Sequence, residues 1–132
     1  MFLSNLNSNQ KNLFIQLAIK AAESNGIVPI EQKNMLKAFA MEMSISPVYT
    51  TDRDTEDIIN ELIASSNERE LKIILFEILG IIVADSVFDE KEKVFVGHVV
   101  EKCNLNTALI DQMVKLLDDY ANVFKSIVDV VM

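Results

Sequence analysis

The sequence predicts an all-α fold, a compact bundle of about six to seven helices built from two related helix hairpins. Half of the 132 residues are hydrophobic, while the chain contains only three glycines, two prolines and no tryptophan. Glycine and proline interrupt helices, and the abundant Leu, Ile, Ala, Lys and Glu are more typical of helices than of strands. Apolar residues also recur at helical spacing along most of the chain. We therefore expect a single domain over residues 1–132.

The first two helices are predicted over residues 9–25 and 30–43. The apolar stripe of the first consists of Phe14, Leu17, Ala18 and Ala21. Gly26 follows it, and glycine there can take the left-handed conformation that ends a helix. Pro29 suits the start of the second helix, where its missing N–H has no helical partner. Residues 1–8 are predicted to be a flexible or loosely docked N-terminus.

A long irregular connection and two further helices are predicted next. Residues 44–53 contain the second proline and have no helical period. A short helix capped by Asp54 or Thr55 follows. The fourth helix, residues 68–84, is apolar on nearly all sides, which predicts a central position in the bundle. Glu77 interrupts its apolar surface and is predicted to lie at a partly exposed edge, with a buried functional carboxylate as the alternative.

The fifth helix is predicted over residues 89–103, with Val94, Phe95, Val99 and Cys103 facing inward. Residues 107–130 follow as one long helix or a broken pair. Heptad spacing relates Leu109, Met113, Leu116, Tyr120, Val123, Ile127 and Val130, and a second apolar stripe lies beside this one. So wide an apolar face predicts core packing or, over the last turns, a partner or homodimer seam.

The net charge of −8 bears on partners and location. It repels phosphate backbones and anionic lipids, so we expect no nucleic-acid binding, and a cation or a basic protein fits better. The apolar run at residues 71–84 is too short to cross a bilayer, which predicts no membrane insertion. The start lacks the features of a signal peptide, and Cys103 has no second cysteine to pair with. These observations predict a cytoplasmic protein.

The stretch "VADSVFDEKEK", residues 83–93, is a candidate functional turn. It places Asp85 between two predicted helices, and Asp89, Glu90 and Glu92 at the start of the second. Asp89 and Glu92 have the D-x-x-E spacing of a helix capping box, which explains two of these four acidic residues. Two interpretations stay open: a cap alone, or a cap together with a weak cation site. The spacing does not fit an EF-hand loop.

The first hairpin contains a related turn, "ESNGIVPIEQK", residues 23–33. Placed over residues 83–93, it pairs Asn25 with Asp85, Gly26 with Ser86, Pro29 with Asp89 and Gln32 with Glu92. Each turn follows an amphipathic helix and opens another. The sequence therefore predicts an internal duplication of a helix hairpin.

This pattern resembles the TerB-like tellurite-resistance family over roughly residues 9–120, on "ADSVFDEKE" (84–92) and "SNGIVPIEQ" (24–32). The resemblance implies a pseudo-twofold helical bundle whose two turns bring acidic residues together into a divalent-cation site. The family's Asp and Glu correspond to Asp85 and Glu92, while Asn25 and Gln32 are neutral counterparts. The candidate metal ligands are thus Asp85, Asp89, Glu92, Asn25 and Gln32. With two carboxylates missing, Ca²⁺ or Mg²⁺ is expected to bind only weakly.

The sequence predicts that the protein is not an enzyme and requires no cofactor. It has no Glu-x-x-His pair, phosphate loop or G-x-S-x-G elbow, and His98 is its only histidine. The resemblance implies a cytoplasmic module of stress or tellurite resistance that acts through a protein partner. The alternative is an acidic helical inhibitor or immunity protein that masks a basic partner. Acid clustered at the two turns would favour the module, and a broad acidic face elsewhere would favour the inhibitor.

Overall fold

The computed structural model describes residues 1–24, 26, 28–85 and 88–132, except for the Asp85 side chain. These residues form six α-helices and two 3₁₀ turns and contain no strand, which confirms the all-α prediction. The helices are α1 (Ser8–Glu23), α2 (Ile30–Met43), α3 (Thr55–Ser65), α4 (Glu68–Ile82), α5 (Glu90–Lys102) and α6 (Ala108–Val131). The 3₁₀ turns are Leu3–Asn5 and Val83–Asp85.

The helices α1 and α4 begin in the same way. Asn7 accepts a hydrogen bond from the backbone N–H of Gln10, and the Gln10 side chain accepts one from the backbone N–H of Asn7. Asn67 and Glu70 form the same reciprocal pair at the start of α4. Both capping boxes satisfy N–H groups that the first helical turn leaves without partners. The two hairpins therefore start at equivalent positions.

The helices α2 and α5 end in the same way. Ser44 and Asn104 both adopt left-handed backbone conformations, with φ of 58° and 55°. The following residues, Ile45 and Leu105, each donate a backbone hydrogen bond across the helix end, at 2.9 and 3.0 Å. This is the closing bond of a Schellman motif, with a polar residue in the left-handed position.

Buried positions repeat at the same interval along both hairpins. In α1 and α4 the buried pairs are Phe14 with Ile74, Ile15 with Leu75, Ala18 with Ile78, Ile19 with Leu79, Ala21 with Ile81 and Ala22 with Ile82. In α2 and α5 they are Gln32 with Glu92, Leu36 with Val96, Phe39 with Val99 and Ala40 with Val100. Matching caps, helix ends and buried faces support the inferred duplication.

The helix α4 lies at the centre of the bundle, as predicted. It contacts α1, α2, α5 and α6. Its residues Ile78 and Leu79 point to different sides of the helix, yet both are fully buried. A helix covered on both sides must be apolar over most of its surface, and the exposed side chains of α4, Glu68, Arg69 and Lys72, all lie in its first turns.

The prediction of an exposed Glu77 and a loose N-terminus is wrong. Glu77 is 4% exposed, and Leu3 and Leu6 lie in the core. The Met1 ammonium group donates to Glu77 Oε1 at 2.9 Å and to Glu42 Oε1 at 3.0 Å. A buried carboxylate needs a partner of opposite charge or hydrogen-bond donors, and the N-terminal segment supplies both.

The predicted inward face of α5 is partly wrong. Val94 is 72% exposed, whereas Val96 and Val100 are fully buried beside Val99. The cap explains the difference, since it directs Glu92 inward, and positions four, seven and eight residues later then share its face. The apolar spacing alone therefore did not predict which face of α5 is buried.

Residues near the other helix ends behave largely as predicted. Gly26 has φ +97°, and Pro29 immediately precedes α2. Asn106 accepts a hydrogen bond from the Ala108 N–H at the start of α6, which is one continuous helix and not a broken pair. Asp54 precedes α3 without a side-chain cap bond. A hydrophobic residue after a glycine such as Gly26 is expected to fold back onto the helix, and in this chain it is Ile27, which lies outside the described residues.

Candidate site at the junction of the hairpins

Gln32 and Glu92 meet at the junction of the two hairpins. Each is the third residue of its helix, and each is fully buried. The Gln32 Nε2 donates to Glu92 Oε2 at 3.4 Å and to the Ile82 carbonyl oxygen at 3.5 Å. The structure thus brings together two of the candidate site residues, the pair that the alignment of the turns had matched.

Asp89 and Glu92 form the predicted capping box. Asp89 Oδ1 accepts from the Glu92 N–H at 2.8 Å, and Glu92 Oε1 accepts from the Asp89 N–H at 3.1 Å. The first hairpin cannot repeat this arrangement, because Pro29 has neither a backbone N–H nor a side-chain acceptor. The Gln32 side chain therefore has no reciprocal cap bond to make and reaches instead to the second hairpin.

Gln32 Oε1 is buried and has no hydrogen-bond partner among the described residues. A buried acceptor left without a donor costs about 1–3 kcal/mol. The junction thus contains one amide oxygen for which the described part of the chain supplies no hydrogen-bond donor.

The other candidate ligands are less fully placed. The Asp85 backbone closes the 3₁₀ turn after α4, while its side chain and the whole of Asn25 lie outside the described residues. Within the described ranges, no group of three or more His, Cys, Asp and Glu side chains could hold a metal ion. The two Glu92 oxygens accept the hydrogen bonds from Asp89 and Gln32 given above. A cation at the junction would compete with these bonds for the Glu92 carboxylate.

A charged group on the surface joins α3 to α5. His98 Nε2 contacts Glu56 Oε1, and Lys102 Nζ lies 3.6 Å from Glu56 Oε2. The hydrogen bond from His98 is the main cause that lowers the pKa of Glu56, with the charges of His98 and Lys102 adding to it. All three side chains are accessible to solvent, so the group belongs to the exposed surface.

The helix α6 divides into two parts. Its first turns pack against the core through the half-buried Leu109, Ile110, Met113, Val114 and Leu117. Beyond them lies an exposed apolar surface, here called the distal α6 face, formed by Leu116, Tyr120, Val123, Phe124, Ile127, Val130 and Val131. Core packing thus accounts for the first turns and not for the last. No helix in the described ranges combines the length and the hydrophobicity needed to cross a bilayer.

Sequence reasoning missed one further cluster, formed by the Met1 ammonium, Glu42 and Glu77. The signal available was a carboxylate in a helix that is apolar on nearly all sides, because a carboxylate buried there needs a counter-charge or hydrogen-bond donors. No family model, curated protein or solved structure matches the chain.

Proposed function

We propose that the chain is a cytoplasmic TerB-like helical module that acts through protein–protein contacts in stress or tellurite resistance, with weak divalent-cation binding at the hairpin junction. The observation that carries this proposal is the contact between Gln32 and Glu92. These residues occupy the positions at which the resemblance places a ligand from each hairpin. A site shared by two turns needs those positions to meet.

The repeated architecture supports the same proposal. Both hairpins have a capping box before their first helix and a left-handed residue after their second. A duplicated hairpin with a pseudo-twofold relation is what the resemblance implies. The duplication also accounts for two turns at one end of the bundle instead of one.

The distal α6 face supports the protein-contact part. Monomeric proteins rarely leave a continuous apolar surface of more than a few hundred Å² in water. Phe124 and Ile127 are both more than half exposed on this face, next to the equally exposed Val123. Burial of such side chains is a main source of binding free energy in protein interfaces.

The cation-binding part is weak for a chemical reason. Gln32 offers a neutral amide where the family pattern has a carboxylate, and in this chain the amide N–H bonds to Glu92. A hard cation gains more from a charged oxygen than from a neutral one, and it must displace this hydrogen bond. We therefore propose millimolar affinity, with Asp85 as a further ligand.

Calorimetric titration with Ca²⁺ and Mg²⁺ tests the cation part. The wild type should bind weakly, Asn25→Asp combined with Gln32→Glu should bind more tightly, and Asp85→Asn should lose binding. The matched control is Asn60→Asp with Gln112→Glu, which adds the same charges at exposed positions and should bind as the wild type does. No heat from the acid-restored variant at about millimolar cation would exclude the site and leave Asp89 and Glu92 as a cap.

A pull-down from the native cytoplasm tests the protein-contact part. The bait is the full chain, and the matched bait carries Phe124→Glu and Ile127→Glu on the distal α6 face. We expect a stoichiometric partner that the wild type captures and the variant does not. Capture that is equal for both baits and abolished by moderate salt would favour the acidic inhibitor that masks a basic partner.

A further inference from the structure

The distal α6 face has no partner within the described chain. From Asp118 to Val131 only Val128 is even half-buried, and Val130 and Val131 are 85% and 70% exposed. The helix nevertheless continues without a break to Val131. An isolated helical extension of this length is marginal in water unless its apolar side is covered.

We propose that the distal α6 face is a homodimer interface that pairs with α6 of a second copy. This inference rests on the protein-contact part of the proposed function and goes beyond it by naming the partner. The apolar spacing that starts in the packed part of α6 continues unchanged from Leu116 to Val130. Alternating steps of three and four residues are the signature of helices that pack against helices of the same kind.

The exposed area is sufficient for such a pair. A fully exposed aliphatic or aromatic side chain offers about 60–120 Å² of apolar surface, the area whose burial yields about 1.5–3 kcal/mol. The seven residues of the face are between 53% and 85% exposed, and Met132 follows at 97%. Each copy thus contributes about 300–600 Å², and the flanking polar atoms bring a pair near the total of about 1,000 Å² that marks a specific interface.

The charge on α6 argues against a lipid surface as the occupant. Interfacial helices are usually rich in Lys and Arg on their polar side. The polar side of α6 carries Asp111, Asp118, Asp119 and Asp129 against only Lys115 and Lys125. The whole chain also has a net charge of −8, which opposes approach to anionic membranes.

A second copy is the occupant that the face itself specifies. In a dimer with a twofold axis, the same residues of both copies form the interface. Each copy therefore supplies a heptad surface that matches the one on the other copy. Asp111, Asp118 and Asp129 lie on the opposite side of α6, and Asp119 lies at the edge of the apolar face. All four can remain in water when the two apolar faces meet.

Sedimentation equilibrium of the full chain at about 100 μM tests this proposal. We expect the wild type to have the mass of a dimer and the variant Phe124→Glu/Ile127→Glu to have the mass of a monomer. The matched control, Asn122→Glu/Lys125→Gln, shifts the net charge by the same amount at exposed positions on the polar side and should remain a dimer. Thermal unfolding of each variant checks that the bundle itself is intact, since all four positions lie outside the core.

A monomeric wild type would overturn the proposal, as would a dimer that survives Phe124→Glu/Ile127→Glu. If the monomer floats with neutral phosphatidylcholine vesicles, the occupant is a lipid surface and the homodimer is excluded. If it does not float but captures a protein partner through the same residues, the homodimer fails while the proposed protein-contact function stands. A dimer that captures no further protein supports the homodimer and contradicts the proposed contact with another protein.

Discussion

The Gln32 amide nitrogen lies 3.4 Å from a Glu92 carboxylate oxygen, although 60 residues separate the two in the chain. The same interval relates the two capping boxes and the two left-handed helix ends. Gln32 and Glu92 are therefore equivalent residues of two copies of one hairpin that face each other across the junction. One of the pair carries a carboxylate and the other a neutral amide that donates to it.

This pairing predicts that Gln32→Glu destabilises the protein in the absence of divalent cations. The change sets a second buried carboxylate beside Glu92 and removes the donor that bonds to it. Breaking the complementarity of a buried charge costs about 3–5 kcal/mol. Urea unfolding at neutral pH with a chelator present would measure the loss.

Asn34→Glu is the matched control for that variant. It adds one negative charge to the same helix at an exposed position, and surface substitutions usually change the free energy of unfolding by less than about 0.5 kcal/mol. Similar losses for both variants would mean that net charge, and not the contact with Glu92, sets the stability.

Local signals in the sequence predicted much of the fold and part of the candidate site. The capping box of Asp89 and Glu92 was predictable because its two side chains bond to backbone groups only three residues away. The central position of α4 followed from its apolar surface alone. Alignment of the turns matched Gln32 with Glu92, and the resemblance implied that the two turns meet. Equivalent positions of a repeat contact each other only where both lie near the axis that relates the copies, as these two do.

Features that depend on distant partners were not predictable in the same way. The burial of Glu77 depends on the Met1 ammonium, a contact across 76 positions that no local pattern encodes. The phase of α5 depends on which way its cap turns Glu92. The two stripes of α6 left core packing and partner contact open, because both interactions select the same apolar residues.

The corrected phase of α5 predicts opposite outcomes for two neighbouring valines. Val96→Ala should lower the free energy of unfolding by about 1.5–3 kcal/mol, because Val96 is fully buried and its truncation leaves a cavity. Val94→Ala should change it by less than about 0.5 kcal/mol, because Val94 is 72% exposed. Urea unfolding of the two variants under one condition gives the comparison. A larger loss of unfolding free energy for Val94→Ala than for Val96→Ala would mean that Val94 faces the core, as the apolar spacing predicted.

Gly97 offers a stabilising substitution. It lies inside α5, and a Cβ atom added there would meet nothing within 4 Å. Gly97→Ala should therefore stabilise the protein by about 0.5–1 kcal/mol, because alanine loses less backbone entropy than glycine when the helix forms. Gly26→Ala is the control, since φ at Gly26 is +97° and alanine is strained there whatever the space. The midpoint temperature of thermal unfolding should rise for Gly97→Ala and fall for Gly26→Ala. Equal shifts in the two variants would contradict the helical backbone at Gly97 and the left-handed backbone at Gly26.

The ammonium group of Met1 predicts a specific pH dependence of stability. Its burial opposes the charge, but hydrogen bonds to Glu77 and Glu42 outweigh that effect and raise the pKa above its ordinary value of 8.0. Because the pKa is higher in the folded state, this contribution to stability is complete below about pH 8 and is lost as the pH rises through the folded-state pKa. Glu77→Gln removes the negative charge of the main acceptor, so it should destabilise the protein more at pH 7 than at pH 10.

Urea unfolding of the wild type and of Glu77→Gln between pH 7 and pH 10 measures this effect. The difference between their free energies of unfolding should become smaller as the pH rises. Subtraction removes the lysine and tyrosine titrations that both proteins share. The control is Glu61→Gln, which breaks an exposed ion pair with Arg53 and should give a difference that does not vary with pH, because the arginine stays charged throughout. If the free-energy difference for Glu77→Gln also does not change with pH, the interaction between the ammonium group and Glu77 does not contribute to the pH dependence of stability. Dependence on the group itself can be checked by placing two residues before Met1, which replaces the ammonium with an amide and should flatten the profile in the same way.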